Sequence, residues 1–211
     1  MLRAIDKNNC IIINLLTCYA NKNNILLELN EKNNSGWYPL LKAADKFEVL
    51  KLLIKYANKK NITLELNDKN KWGRYPLLKT SNKAKTIKLL IDYANKNNIT
   101  LELNEQDYWG YYPLLKGSHN TEKIKLLIEY TIKNNITLKL NEKDIYGNYP
   151  LINAVYDAEA VKLLNECANK NNITLNINEK NIWEWYPLLE TYNNIEVLKL
   201  LTEYAVKSKH F

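Results

Sequence analysis

The pattern of apolar and polar residues switches between helical and extended spacing along the chain. One apolar series has the i, i+3, i+4, i+7 spacing of a helix with a single buried stripe: Val49, Leu52, Leu53 and Tyr56. Residues 99–104, in contrast, alternate apolar and polar side chains, which is typical of a short extended segment with one buried side. The pattern therefore predicts amphipathic helices connected by extended arms.

This pattern recurs with a fixed period of 37 residues. All five prolines lie at this spacing: Pro39, Pro76, Pro113, Pro150 and Pro187. A tyrosine precedes each proline, a leucine follows it, and a lysine with two further leucines begins twelve residues later. A constant period in this range indicates a repeat array. Such short units bury their apolar faces against neighbouring units rather than within themselves.

Each unit predicts two helices and a turn. Because proline suits the first turn of a helix, the first helix should span residues 39–44, and the second should begin near Glu48. Asparagine pairs such as Asn97-Asn98 are suited to close the second helix in a left-handed cap. Four units have glycine three residues before proline, where a turn needs a positive φ. The fifth has Glu184 there, so we expect an altered turn.

These units predict an all-α fold, a helical-hairpin repeat solenoid with short extended arms and turns between repeats. We expect one array over residues 1–211, with four repeats at 35–71, 72–108, 109–145 and 146–182. Partial units flank them at residues 1–34 and 183–211. Leu15-Leu16 lie 37 residues before Leu52-Leu53, so the N-terminal unit should retain mainly its second helix.

Composition narrows the class of protein. With 46% apolar and 10% aromatic residues the chain is not of the disordered type, and no apolar run reaches the length of a membrane helix. We interpret the 33 asparagines as coding bias. Three isolated cysteines indicate a reducing compartment, and residues 10–20, although similar to a signal peptide, recur as repeat sequence. These features favour a cytoplasmic location over secretion.

The sequence lacks a pattern typical of catalysis or metal binding. Its two histidines, His119 and His210, are far apart in the array and have no clustered ligands around them. The acidic residues Glu122, Glu159 and Glu196 recur at equivalent positions, which favours a role at helix ends over catalysis. We therefore predict a protein that is not an enzyme and uses no cofactor and no metal.

Two segments of the repeat resemble the ankyrin repeat family. They are residues 36–41, Gly-Trp-Tyr-Pro-Leu-Leu, and residues 48–54, Glu-Val-Leu-Lys-Leu-Leu-Ile. The family signature reads Gly-x-Thr-Pro-Leu-His, so tyrosine replaces its threonine here, and leucine or Ile152 replaces its histidine. The period is also longer than the family's usual value of about 33. We expect Tyr–Tyr stacking along the array to replace the missing hydrogen bonds.

The resemblance implies a binding surface for another protein or peptide, formed by the turn tips and the first helices on a concave face. The candidate partner-binding residues vary between repeats: Trp37, Trp72, Arg74, Trp109, Tyr111, Tyr146, Trp183 and Trp185. These residue types are enriched in binding hot spots. The same tryptophans could instead cover the repeat edges as packing.

Two other classes of ligand stay open. Lysine rows could bind a polyanion such as nucleic acid, and the tryptophans could stack on a sugar. Glutamates three residues before most lysines of one row argue against nucleic acid, because they partly neutralise it. We expect a monomer without a membrane partner.

Overall fold

In a computed structural model of the chain, the described residues are 1–80, 84–191 and 194–207, and every regular element among them is a helix. The elements are α1 (Leu2–Asp6), α2 (Cys10–Lys22), α3 (Pro39–Ala43), α4 (Phe47–Lys60), α5 (Pro76–Thr80), α6 (Ala84–Lys96), α7 (Pro113–Gly117), α8 (Thr121–Asn134), α9 (Pro150–Ala154), α10 (Ala158–Lys170), α11 (Pro187–Glu190) and α12 (Ile195–Lys207). The chain divides into two compact units, Met1–Glu102 and Leu103–Phe211. The prediction of an all-α repeat fold is confirmed.

The N-terminal unit contains α1 to α6 and has two layers of helices. The short helices α1, α3 and α5 pack side by side in one layer, and the long helices α2, α4 and α6 pack side by side in the other. Each short helix also packs on the long helix that follows it. The apolar faces are therefore buried between neighbouring hairpins, as the short units require.

The C-terminal unit contains α7 to α12 and repeats this arrangement. Here α9 packs between α7 and α11, while α10 packs between α8 and α12. The central hairpin of the unit, α9 with α10, thus contacts a neighbour on both sides in each layer.

The helix boundaries follow from the local sequence. Tyr38 is extended, with φ −131° and ψ 165°, because the residue before a proline avoids the helical region, and α3 begins at Pro39. In α4 the predicted stripe is largely buried, but Leu50 is buried as well and Leu52 is only half-buried. Since α4 contacts α3 and both neighbouring long helices, its buried face is wider than a single stripe.

The N-terminal partial unit has both of its helices. α1 lies 37 residues before α3 and packs against it, and Ile5 in α1 is buried. The prediction that this unit retains mainly its second helix is therefore wrong. Leu2 stands at the position where the other units have the proline that predicts a first helix, so the sequence did not indicate one here. The helix forms nevertheless and packs against α3. The segment considered as a signal peptide is α2, whose Ile13 and Ala20 are buried.

The arms between hairpins form no strand in the part of the chain that the structure describes, although they bury alternate residues as predicted. Leu64 and Leu66, for example, are each 1% exposed. Asparagine side chains hold neighbouring arms together. Asn30 donates from Nδ2 to the Thr63 carbonyl at 2.7 Å and accepts from the Glu65 amide at 3.1 Å. Equivalent bonds occur along both units, at Asn67, Asn104 and Asn141.

Asparagine also ends the long helices, as predicted. Asn61, Asn98, Asn135 and Asn172 all have left-handed backbones, with φ of 53° to 54°. In the last three of these helix ends, the asparagine one residue earlier donates to a carbonyl of the last turn, as where Asn97 Nδ2 donates to the Tyr93 carbonyl at 2.8 Å. Coding bias is thus an insufficient explanation for the abundance of asparagine, because these positions use its side chain and its backbone preference.

The tyrosines before the prolines form hydrogen bonds to the arm at the end of their own repeat instead of the ring stacking that we expected. The Tyr38 hydroxyl donates to the Glu65 and Asp68 carbonyls, both at 3.0 Å. Tyr112 and Tyr149 donate in the same way to carbonyls 30 residues ahead, at 3.2 and 2.8 Å. Burial raises the pKa of these three phenols far above its usual range, so they remain neutral donors.

No described helix has both the length and the apolar character that crossing a membrane requires.

Candidate binding site at the turn tips

An asparagine or aspartate side chain fixes the shape of each turn tip. The Asn70 Oδ1 atom accepts from the amides of Trp72 and Arg74, both at 3.0 Å, and the Asn70 amide donates to the Arg74 carbonyl at 2.9 Å. The same residue type stands six residues before each proline, at Asn33, Asn70, Asp107, Asp144 and Asn181. We did not predict a role for this row, although its period of 37 residues is visible in the sequence.

Neighbouring tips lie so close together that a side chain at the glycine position has no room. Gly36 has φ +78°, and a Cβ atom there would lie 2.7 Å from the Asn70 Cα atom. Gly110 and Gly147 approach the next tip in the same way, at 2.7 and 2.9 Å. Backbone bonds join the tips, such as Lys71 N to the Ser35 carbonyl at 3.1 Å. The tips of each unit therefore form a rigid row.

Glu184 keeps the turn geometry despite the missing glycine. Its φ is +64°, its amide donates to the Asn181 carbonyl at 3.0 Å, and the Asn181 side chain accepts from Trp183 and Trp185 as in the other tips. The prediction of an altered turn is therefore wrong. The hydrogen bonds of Asn181 maintain a conformation that glutamate itself disfavours.

In the N-terminal unit the tip aromatics are partly covered. The rings of Trp37 and Trp72 lie 6.1 Å apart with an interplanar angle of 44°. Lys42 Nζ lies 4.8 Å from the Trp37 ring centre and also pairs with Asp6 at 2.8 Å. Trp72 is 37% exposed, while Trp37 and Arg74 are half-buried. The unit thus has one exposed tip aromatic.

The C-terminal unit carries a larger exposed aromatic surface. Tyr146 stacks on Trp183 with ring centres 5.7 Å apart and an interplanar angle of 22°. Trp183 also contacts Trp185, with ring centres 5.8 Å apart. The two tryptophans are 50% and 49% exposed. Trp109 and Tyr111 are half-buried, and Lys116 Nζ lies 5.1 Å from the Tyr111 ring centre. Burial, with the charge of Asp144, raises the pKa of Tyr111.

The structure adds three exposed residues to the candidate set, all five residues before a proline. They are Tyr108, Ile145 and Ile182, at 72%, 55% and 61% exposure. We did not predict them because the same repeat position holds Asn34 and Lys71 in the first two repeats, so it is not apolar in every repeat. The backbone places them beside the aromatics, since the Ile182 amide donates to the Tyr146 carbonyl at 3.0 Å.

Comparison with known proteins shows the fold. No family model and no curated protein matches the sequence. Among solved structures the chain is similar to EF0377, an ankyrin repeat protein, with a TM-score of 0.65, 18% identity and 96% of each chain covered. The chain has the ankyrin repeat fold. The predicted resemblance is thus confirmed for the fold, which accommodates a repeat of 37 residues here.

Beyond the tips, the ankyrin repeats show little that suggests chemistry. Among the described residues, no group of three or more His, Cys, Asp or Glu side chains could hold a metal ion. His119 lies at the surface with part of its ring shielded from water. This desolvation, together with the charge of nearby Lys123, lowers its pKa. His210 lies outside the described residues.

The lysine rows lie on the outer surface of the long helices. Lys51, Lys88, Lys125, Lys162 and Lys199 are all exposed. Lys125 forms an ion pair with Glu159 of the next repeat at 3.2 Å. Glutamate therefore neutralises Lys125 from the neighbouring helix, whereas the neutralisation within one helix stays a prediction.

Proposed function

We propose that this ankyrin repeat chain is a non-enzymatic scaffold that binds another protein or peptide through its turn tips and the adjoining surface of the short helices. The ankyrin repeat fold is generally a scaffold for protein–protein interaction. The observation that carries the proposal is a group of exposed apolar side chains, which we call the C-terminal tip cluster: Tyr108, Ile145, Tyr146, Ile182, Trp183 and Trp185.

The chemistry of this cluster suits a docking surface. Soluble proteins seldom leave several large apolar side chains exposed side by side unless the patch is used. Tryptophan and tyrosine provide much contact area for little loss of conformational freedom. The turns below them are already ordered by Asp144 and Asn181, so binding need not order the backbone.

The remaining candidates have a secondary part in this proposal. Trp37, Arg74, Trp109 and Tyr111 are half-buried. Trp72 is exposed to the same 37% as Tyr146, but its ring contacts Trp37 and no other exposed aromatic of the tips. We assign them a supporting role at the edge of the interface. Residues of that kind exclude water while contributing less binding energy than the central anchors.

The monomeric state and the cytoplasmic location belong to the same proposal. The cysteines Cys10, Cys18 and Cys167 are free thiols, and Cys18 is exposed. An exposed free thiol is typical of a reducing compartment.

The test uses a peptide selected against the wild-type chain from a displayed library and measures its affinity and the melting temperature in parallel. The double substitution Trp183→Ala and Trp185→Ala should weaken binding by roughly 100-fold or more, because two exposed anchors are lost. The melting temperature should stay within a few degrees of the wild type. Ile11→Ala on α2, where Ile11 is 75% exposed, is a matched control for removing exposed apolar surface elsewhere.

Two outcomes would contradict the proposal. If the double variant melts many degrees lower, the tryptophans are packing residues and the cluster is not a site. If Ile11→Ala weakens binding equally, the peptide binds exposed apolar surface without specificity.

Polyanion binding through the exposed lysine rows is the second candidate. It requires affinity to fall steeply with salt, since each phosphate contact releases a counterion. Tip-cluster binding should change little between about 50 and 200 mM salt, because its contacts are apolar. A salt titration therefore separates the two, and a glycan array tests sugar stacking on the tryptophans.

A further inference from the structure

A second row of tyrosines, on the long helices, forms hydrogen bonds with the backbone of the arm in the preceding repeat. In α4, the Tyr56 hydroxyl donates to the Ile25 carbonyl and accepts from the Leu27 amide, both at 3.1 Å. In α6, Tyr93 forms the same pair of bonds with Ile62 and Leu64, at 3.3 and 3.0 Å. A phenol thus satisfies one carbonyl and one amide that the arm itself leaves open.

In α10 this row is interrupted, because the equivalent residue is Cys167. The row continues 37 residues later with Tyr204, which accepts from the Leu175 amide at 2.8 Å. The arm facing Cys167 presents the Ile136 carbonyl and the Leu138 amide, and neither has a hydrogen-bond partner among the described residues. Leu138 is 2% exposed, so its amide lies away from bulk water, where an open donor is costly.

A cavity of about 370 Å³, partly open to solvent, lies beside Cys167 between α8 and α10. Ile136 and Thr137 of the arm line it, and Leu138 is the next residue of the arm. The apolar wall of the cavity is formed by Ile128, Ile132 and Ile136. It opens towards solvent at Ile132, which is 54% exposed. The volume falls within the usual range for small-molecule sites.

The polar part of the wall is neutral apart from one exposed lysine at the rim, Lys170. Thr131 stands where the other long helices have alanine, and its hydroxyl donates to the Ile128 carbonyl at 2.7 Å, which leaves its oxygen free to accept. Burial raises the pKa of the Cys167 thiol, so the thiol is a neutral wall atom and not a nucleophile.

We propose that this cavity binds a small neutral molecule with a hydroxyl group on an aromatic ring, in the place that a tyrosine side chain fills in other repeats. The hydroxyl accepts from the Leu138 amide and donates to the Ile136 carbonyl, as Tyr93 does with Leu64 and Ile62. The ring packs against the three isoleucines of the wall. This inference is independent of the turn-tip proposal.

The first experiment compares p-cresol with toluene on the full chain labelled with ¹⁵N. The two probes have the same ring and methyl group and differ by the hydroxyl. We expect p-cresol to bind saturably and about tenfold more tightly than toluene, which is the effect of the recovered hydrogen bonds. Only p-cresol should shift the Leu138 amide resonance strongly. The Leu64 amide, already bonded to Tyr93, is the internal control and should not move.

Absence of saturable p-cresol binding would overturn the proposal, because the cavity would then hold only water. Equal affinity for toluene would also overturn it, since the hydroxyl would not be recognised.

The second experiment fills the cavity covalently. Cys167→Tyr should raise the melting temperature and abolish p-cresol binding, and Cys167→Phe should abolish binding without supplying the hydroxyl. If either folded variant binds p-cresol as tightly as the wild type, the site lies elsewhere and the proposal fails. Should Cys167→Tyr not fold, Cys167→Phe and the wild-type resonances still decide the question.

Discussion

The turn tips of the two units have the same backbone conformation but differ in the side chains that they expose. In the N-terminal unit the position five residues before proline holds Asn34 and Lys71, whereas in the C-terminal unit it holds Tyr108, Ile145 and Ile182. In both units an Asn or Asp side chain shapes the tip by accepting hydrogen bonds from two backbone amides. Repeat-invariant residues thus determine the turn, and variable residues decide whether its surface can bind.

The interiors of the units also differ at equivalent positions. Tyr56 and Tyr93 close the arms of the N-terminal unit, whereas Cys167 leaves one arm of the C-terminal unit open beside a cavity. A repeat thus tolerates the loss of the tyrosine hydrogen bonds to one arm when its neighbours still pack on both sides, as α8 and α12 do around α10.

The largest expected change in stability comes from replacing a tyrosine of the N-terminal unit with cysteine, as at Cys167. Tyr93→Cys should lower the free energy of unfolding by about 3 kcal/mol, because it opens a cavity and removes two hydrogen bonds from a buried arm. Urea denaturation measures the effect. A loss as small as about 0.5 kcal/mol would mean that the tyrosine row contributes little to stacking.

A smaller effect is expected at the tip glycines. Gly110→Ala should cost about 2 to 3 kcal/mol, since the new Cβ would meet Asp144 Cα at 2.7 Å in a backbone with φ +78°. Glu184→Gly, the matched reverse change, should raise stability by about 1 kcal/mol because it relieves a positive φ. Chemical denaturation of both variants checks the pair, and a neutral Gly110→Ala would show that the tips are not rigid.

Removal of one half-buried and one partly exposed tryptophan should have a modest effect on binding. Trp72→Ala with Trp109→Ala should weaken peptide binding by roughly tenfold and leave the melting temperature within a few degrees. The comparison with Trp183→Ala and Trp185→Ala in the same assay tests whether the C-terminal cluster dominates. A larger loss at Trp72 and Trp109 would reverse that ranking.

The smallest effect concerns a link between short-helix regions that differs between the units. Asp45 pairs with Lys79 in the N-terminal unit, whereas the equivalent residues Tyr156 and Glu190 share a hydroxyl–carboxylate hydrogen bond of 2.6 Å in the C-terminal unit. Burial would raise the pKa of Asp45, but the hydrogen bond and charge of Lys79 outweigh it and lower the pKa below its usual value.

The Asp45–Lys79 link should therefore stabilise the fold above the unfolded-state pKa of about 3.9 and lose its effect as the pH falls further. Asp45→Asn should unfold at lower urea than the wild type at pH 6, and the difference should shrink towards pH 3. Because both side chains are partly exposed, we expect a small difference. A constant difference across this range would contradict the link.

Local backbone rules explain why much of the fold was predictable. Pro39 marks a helix start, Asn98 a left-handed helix end, and Gly36 a positive φ, and each preference acts within a few residues. The same rules misled us at Leu2, where a helix forms without its proline cue, and at Glu184, where side-chain hydrogen bonds from Asn181 override the local preference.

The candidate site was only half predictable. The column of tip tryptophans was visible because it repeats, but exposure depends on how each ring packs on its neighbours. Trp37 is partly covered by Trp72 and Lys42, and Trp183 stacks on Tyr146 and stays half exposed.

By itself the sequence determined the period, the hairpin and the turn positions, because these depend on residue types at fixed short spacing. Only the tertiary structure decided which side chains are exposed at the tips and that Cys167, at a position where other long helices have tyrosine, borders a cavity. Both depend on contacts between residues some 30 positions apart, such as Tyr93 with Leu64, which no local pattern specifies.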